Sequence, residues 1–127
     1  INKMLKYLKM LSVVCCISTY GIHRAKGGNN LERKAKQIAE LLKVLANENR
    51  LMILCALMEG SKTVGKIAEK VPGISHSALS QHLSLMKAHR ILDFSKSGQS
   101  VTYSIADYRV EEVIHVLKKY YCHPDTE

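Results

Sequence analysis

Apolar and polar positions alternate with helical spacing over most of the chain. Leu31, Ala35, Ile38, Leu42 and Leu45 follow one another at intervals of four and three. This pattern predicts a first helix with a narrow apolar stripe. Arg33, Lys34, Lys36, Glu40 and Lys43 fill its other faces, and Asn29 or Asn30 is a candidate cap. A stripe this narrow suits packing on the chain's own core or on a second copy of the chain. Asn47-Glu48-Asn49 interrupts the period and can cap a second helix, RLMILCALMEG, with Gly60 placed to stop it. That segment is nearly all apolar and is expected at the centre of the core. Ser61 to Val71 predicts a third helix, with Val64, Ile67, Ala68 and Val71 inward and the lysines outward. Pro72-Gly73 marks a turn, and Ser75 caps a fourth helix. Leu79, Leu83 and Met86 bury on it, leaving His76, Ser77, Ser80, Gln81, Ser84 and Lys87 on the open side. His82 falls closer to the buried side.

The period then changes from helical to twofold. Val101, Tyr103 and Ile105 alternate with Thr102 and Ser104, as in a half-buried strand. Ile91 to Ser95 is its expected partner, and Lys96-Ser97-Gly98-Gln99 forms the tip. A fifth helix begins near Asp107 and carries the stripe Val110, Val113, Ile114, Leu117 and Tyr121, with Pro124 to end it. Two helices joined by a short glycine-containing turn form a helix-turn-helix. The expected fold is mainly α with a small β-hairpin wing: a winged helix-turn-helix with five core helices, in the order ααααββα.

The 127 residues carry a formal net charge of +8, unevenly spread. Residues 1–30 hold five basic residues and no acid. Residues 61–105 hold Lys62, Lys66, Lys70, Lys87, Arg90 and Lys96 against Glu69 and Asp93. That local excess suits a polyanionic partner. The four cysteines, at 15, 16, 55 and 122, form no C-x-x-C pair and no dense disulfide framework, so a reducing cytoplasm is the expected location. In residues 1–30, lysines precede a short apolar run, as in a signal peptide. The run is too short to span a bilayer, which takes ~20 apolar residues. These residues are expected to be a weakly ordered or short helical extension, with Met4 or Met10 as candidate native starts. Cys15 and Cys16 are read as bystanders. The globular domain is expected over 31–123 and a short tail over 124–127, with no membrane association.

The stretches LLKVLANENRLMILCAL, ISHSALSQHLSLMKAHRIL and GQSVTYSI together resemble the ArsR/SmtB family of bacterial winged-helix repressors. The resemblance covers about residues 31–123. It implies a homodimer joined through the first and last helices, sitting on double-stranded operator DNA until an inducer releases it. Gln81 is then the foremost base reader, because its amide matches an adenine edge. His76, Ser77 and Ser80 share its open face. Ser75 caps the helix, and the neighbouring amides can meet a phosphate. Lys87, Lys96 and Gln99 are expected on the DNA backbone, positioning the protein without specifying sequence.

The inducer must come from other residues. The segment SKTVGKI has no cysteine where metal sensors of this family carry a cysteine pair. Asp107, His115 and His123 make a poor zinc shell. No metal or cofactor is therefore expected, although a metal-responsive repressor of the same family is the alternative reading. No nucleophile–base set, phosphate loop or deaminase pattern suggests an enzyme. Taken singly, Cys55 reads as a small apolar core residue and Cys122 as an exposed chain-end thiol. As a pair, in the contexts LMILCALMEG and LKKYYC, they resemble the sulfide- and redox-responsive repressors of the SqrR/BigR/HlyU kind. That resemblance implies that Cys55 and Cys122 are the sensor, with reactive sulfur species or an oxidant as inducer.

Overall fold

The computed structural model describes residues 28–122. The readings placed on the N-terminal extension, Cys15, Cys16, His123 and Pro124 lie outside the described residues. The described chain forms five α-helices and three strands: α1 (Gly28–Leu45), α2 (Glu48–Leu57), β1 (Lys62–Thr63), α3 (Val64–Lys70), α4 (His76–Ala88), β2 (Leu92–Ser97), β3 (Ser100–Ile105) and α5 (Tyr108–Tyr121). Within the described residues the chain divides into two units between Ile38 and Ala39. The core belongs to the second.

Helix starts follow side-chain chemistry. Asn47, Ser75 and Asp107 each hold extended backbone and accept a hydrogen bond from an amide of the first turn: Arg50, Ala78 and Arg109 respectively. Each satisfies a donor that the helix itself cannot. α1 begins earlier than its stripe suggests, so Asn29 and Asn30 lie within the helix rather than ahead of it.

α3 is shorter than the expected Ser61–Val71. Thr63 is its N-cap, accepting from the Lys66 amide at 3.3 Å. Lys62-Thr63 instead forms β1, which pairs antiparallel with β3, Lys62 opposite Tyr103 and Thr63 opposite Thr102. The wing is therefore part of a three-stranded sheet in the order β1-β3-β2. The hairpin is also tighter than expected. Lys96 and Ser97 belong to β2, and Ser97 lies opposite Ser100, so only Gly98-Gln99 turns. Gly98 has φ +61°, as the first central position of a II′ hairpin requires. Ile91 lies before the strand and is fully buried.

Ile53 and Leu54 of α2, Ile67 of α3, and Leu79, Leu83 and Met86 of α4 make the centre of the core. Ile91, Val110 and Ile114 close it, each at most 1% exposed. α4 ends in a Schellman motif. The Arg90 amide donates to Lys87 O at 2.9 Å, and the Ile91 amide to Met86 O at 2.9 Å. Arg90 holds the left-handed position, φ 60°, that glycine usually takes.

Other apolar side chains are left outside. On α1, Leu42 is 51% exposed, although its neighbours Val44 and Leu45 are buried. On α5, Val110 and Ile114 point inward while Val113, Val116 and Leu117 are exposed. Of the expected α5 stripe, Tyr121 is the least covered, at 83% exposed.

Candidate DNA interface and thiol pair

The second helix of the helix-turn-helix, α4, separates its residues cleanly. Leu79, Leu83 and Met86 fix it to the core. His76, Ser77, Ser80, Gln81, Ser84 and Lys87 are exposed. Ser75 Oγ accepts the Ala78 amide at 3.2 Å and lies 3.3 Å from Ser77 Oγ. The capping role read for Ser75 is thus seen directly. His82 is half-buried, with Nδ1 3.5 Å from Nη1 of Arg50. Arg50 also donates from Nε to the Val44 carbonyl. This links His82 to α2 and to the end of α1, in keeping with its place toward the buried side of α4. Arg50 was not legible as a site residue, because its partners lie elsewhere in the chain.

The wing lies against this helix through an aromatic contact. Lys87 Nζ is 3.5 Å from the centroid of the Phe94 ring. Phe94 in turn faces Tyr103 on β3, ring centroids 6.1 Å apart. Lys87 is therefore tied to β2 as well as open to solvent. Lys96, on β2, and Gln99, in the turn, are both exposed.

Charge is less available than the residue count implies. Glu59 binds both Lys62 (3.3 Å) and Lys70 (3.2 Å), and Lys66 pairs with Glu69. The two lysines hold the Glu59 carboxyl below its ordinary range. Among the described residues, Lys87, Arg90 and Lys96 pair with no carboxylate. The cations of residues 61–105 without an ion-pair partner are thus Lys87 on α4, Arg90 at its end and Lys96 on the wing, where the exposed Asp93 offsets the last in net charge.

The two cysteines inside the domain are free thiols, Cys55 half-buried on α2 and Cys122 exposed at the end of α5. An open groove of about 340 Å³ beside Cys55 is lined by Leu51, Met52, Glu59, Lys70 and Lys118. A second opening holds Cys122 with Met58, His115, Lys118 and Lys119. Lys118 borders both. Burial pushes the Cys55 thiol up, the Lys118 ammonium pulls it down, and negative charge at Cys122 raises it. The fold thus brings within electrostatic reach two thiols far apart in sequence, with a lysine beside them. Lys118 carried no signal of its own in the sequence.

The described residues contain no group of three or more His, Cys, Asp or Glu side chains able to hold a metal ion. Asp107 is occupied with its cap and with Arg109, whose Nε and Nη2 donate to it at 2.9 and 2.8 Å. None of the described helices is long and apolar enough to cross a membrane.

A helix-turn-helix with an open polar face, flanked by an antiparallel wing, defines the winged helix-turn-helix class of DNA-binding transcriptional regulators. Within that class the chain belongs to the arsR family of bacterial regulatory proteins, whose model matches residues 47–93. It is 35% identical over 92 residues to the transcriptional activator HlyU of Vibrio cholerae, covering 72% of this chain and 84% of that one. The structure of reduced HlyU superposes with a TM-score of 0.69 at 34% identity, over 73% of this chain and 97% of that chain. The transcriptional repressor BigR of Xylella fastidiosa gives 0.68 at 27% identity, over 75% and 96%. A homodimeric winged helix-turn-helix domain of Mycobacterium bovis, Mb0332, gives 0.63 at 25% identity, over 79% and 99%. These relatives are regulators, and the chain is not an enzyme.

Proposed function

We propose that this chain is a cytoplasmic, homodimeric repressor that leaves its operator when Cys55 and Cys122 are persulfidated or oxidised. The observation that carries the sensing half is that Lys118 borders the openings of both thiols, with Cys122 close enough to act electrostatically on Cys55. The dimer reading draws on the exposed apolar residues of α5 and on Leu42 of α1, which a second copy would cover. It also draws on the homodimeric Mb0332. Two copies of α4 then enter successive major grooves about one helical turn apart. His76, Ser77, Ser80 and Gln81 face bases. The amides beside Ser75, with Lys87, Lys96 and Gln99, hold the phosphate backbone.

The chemistry is a two-step sulfur exchange. A thiolate, RS⁻ of either cysteine, attacks the outer sulfur of a low-molecular-weight persulfide, R′–S–SH. The protein becomes R–S–SH, and R′S⁻ leaves. The second thiolate then attacks the protein-bound sulfur of that persulfide, forming the Cys55–Cys122 disulfide and releasing HS⁻. When both cysteines carry a persulfide, the attacking group is RSS⁻, and the same displacement forms a trisulfide bridge and again releases HS⁻. Cys122 is the more exposed thiol and is met first, whereas burial favours the protonated form of Cys55. The bridge ties α5 to α2. Because α5 also contributes to the dimer, tying it changes the spacing of the two α4 helices, and operator affinity falls by the difference in free energy between the two states.

The test begins by selecting the operator from a random duplex library with reduced protein. Binding is then followed by fluorescence anisotropy in the reduced state and after organic persulfide, peroxide or zinc, with sulfur products identified by mass spectrometry. Persulfide should add sulfur at Cys55 and Cys122 and release the DNA, and Cys55→Ser and Cys122→Ser should abolish release. Unchanged affinity in sulfur-modified protein rejects the switch. Release by zinc in the double variant would establish the metal-responsive alternative.

A further inference from the structure

Of the charged groups around the two thiols, Lys118 stands apart. In the Cys55 groove, Glu59 and Lys70 neutralise one another at 3.2 Å, with Lys62 as a second partner of the carboxylate. Lys118 is half-buried and pairs with no carboxylate among the described residues, yet it borders both the Cys55 groove and the Cys122 opening. Its carbonyl also accepts the Cys122 amide at 2.9 Å, so the backbone of Cys122 is registered on Lys118 by the last helical turn. His115 and Lys119 are the other titratable side chains beside Cys122. The floor of the Cys55 groove is apolar, provided by Leu51 and Met52. A small donor with an apolar body and one negative charge fits this arrangement.

We propose that Lys118 is the positioning residue of the thiol pair and that it makes the pair selective for anionic sulfur donors, such as hydropolysulfide or a carboxylate-bearing persulfide, over neutral and cationic ones. The proposal rests on the thiol-switch reading for its biological meaning, but the charge preference can be measured without it. The ammonium attracts the incoming anion, favours the Cys55 thiolate, and stabilises the anionic leaving group that departs as the S–S bond is exchanged. An ammonium within a few ångströms in a partly wetted groove changes the local concentration of a monovalent ion by about three- to fivefold, in opposite directions for anions and cations.

The full-length reduced chain is treated with methanethiosulfonates bearing a sulfonate, no charge or a trimethylammonium group. Each forms a mixed disulfide with the cysteine thiolate and expels methanesulfinate. Modification of Cys55 and Cys122 is timed by peptide-resolved mass spectrometry, with free N-acetylcysteine timed in the same buffers as the reference. The anionic-to-cationic rate ratio at the pair should exceed one. After division by the ratio for free N-acetylcysteine, it should fall about tenfold in Lys118→Gln and be kept in Lys118→Arg. In the unaltered chain, raising the salt to about 1 M, where screening acts within ~3 Å, should remove most of the preference. A ratio insensitive to both Lys118→Gln and salt overturns the proposal. Operator binding is read on the same samples. If the ratio obeys Lys118 while the modified protein keeps its DNA affinity, charge selection stands and the switch reading fails.

Discussion

Lys87 and Phe94 offer a quantitative test of how the wing is held. The Lys87 ammonium lies 3.5 Å over the Phe94 ring, and that ring pairs with Tyr103 at 6.1 Å. A cation–π contact at an exposed site contributes about 0.5–1 kcal/mol. An aromatic pair in this range of separation adds roughly 0.5–1.5 kcal/mol. Phe94→Leu keeps apolar bulk but removes both, so it should cost about 1–2.5 kcal/mol. Lys87→Met keeps the alkyl stem and removes only the charge, at a cost of about 0.5–1 kcal/mol. If the contact is real, the double variant loses less than the sum of the singles, and the coupling is about 0.5–1 kcal/mol. Urea unfolding of the four reduced proteins at one protein concentration measures the cycle. Operator titrations over a range of salt provide the functional arm. Lys87→Met should lower the salt slope by about one unit per protomer if the ammonium also meets a phosphate. Phe94→Leu should weaken affinity with the slope unchanged, because it frees the wing without removing charge. Strictly additive singles, with coupling below about 0.3 kcal/mol, would refute the latch.

Three further outcomes are expected. Asp107→Ala removes the α5 cap and the Arg109 pair and should cost about 1 kcal/mol in urea unfolding, whereas Asp107→Asn keeps most of the cap. Arg109 holds the Asp107 carboxyl below its ordinary value. Its stabilisation is therefore complete at neutral pH and fades as pH drops through the usual carboxylate range toward the folded value; the Ala variant should lose less stability on acidification than the parent. Gln81→Ala should weaken the selected operator by about 1–3 kcal/mol and relax the preference at one base pair with little change in salt slope; uniform weakening across sequences would reassign Gln81 to the backbone. At the left-handed end of α4, Arg90→Gly should be more stable than Arg90→Ala by about 1 kcal/mol, since both lack the side chain and only glycine holds φ 60° without strain; equal stabilities would refute the strain.

What local chemistry encodes was readable from the chain. The caps at Asn47, Ser75 and Asp107, the buried face of α4 and the period change into β3 depend on residues within a turn or two of one another, and each stands where the pattern places it. What depends on distant residues was not. β1 is two residues long and has no period of its own; it exists because Lys62 and Thr63 find Tyr103 and Thr102 some forty positions away. The same pairing moves the start of α3 to Val64, since Lys62 and Thr63 hold extended backbone in the ladder and Thr63 serves as the N-cap.

The opposing sides of the site divide in the same way. The set on α4 proposed to face DNA is a single exposed helical face, so spacing alone separates His76, Ser77, Ser80 and Gln81 from Leu79 and Leu83. Helix geometry makes that inference local. The neutralisation of Lys62, Lys66 and Lys70 by Glu59 and Glu69 and the seat of Lys87 on Phe94 required three-dimensional neighbours. So did the lysine at the thiol pair. The sequence by itself determined the helices, the recognition face and the two domain cysteines as a resemblance. Tertiary packing decided that Cys55 on α2 and Cys122 at the end of α5 share Lys118, because only the docking of α5 across α2 carries a charge to both.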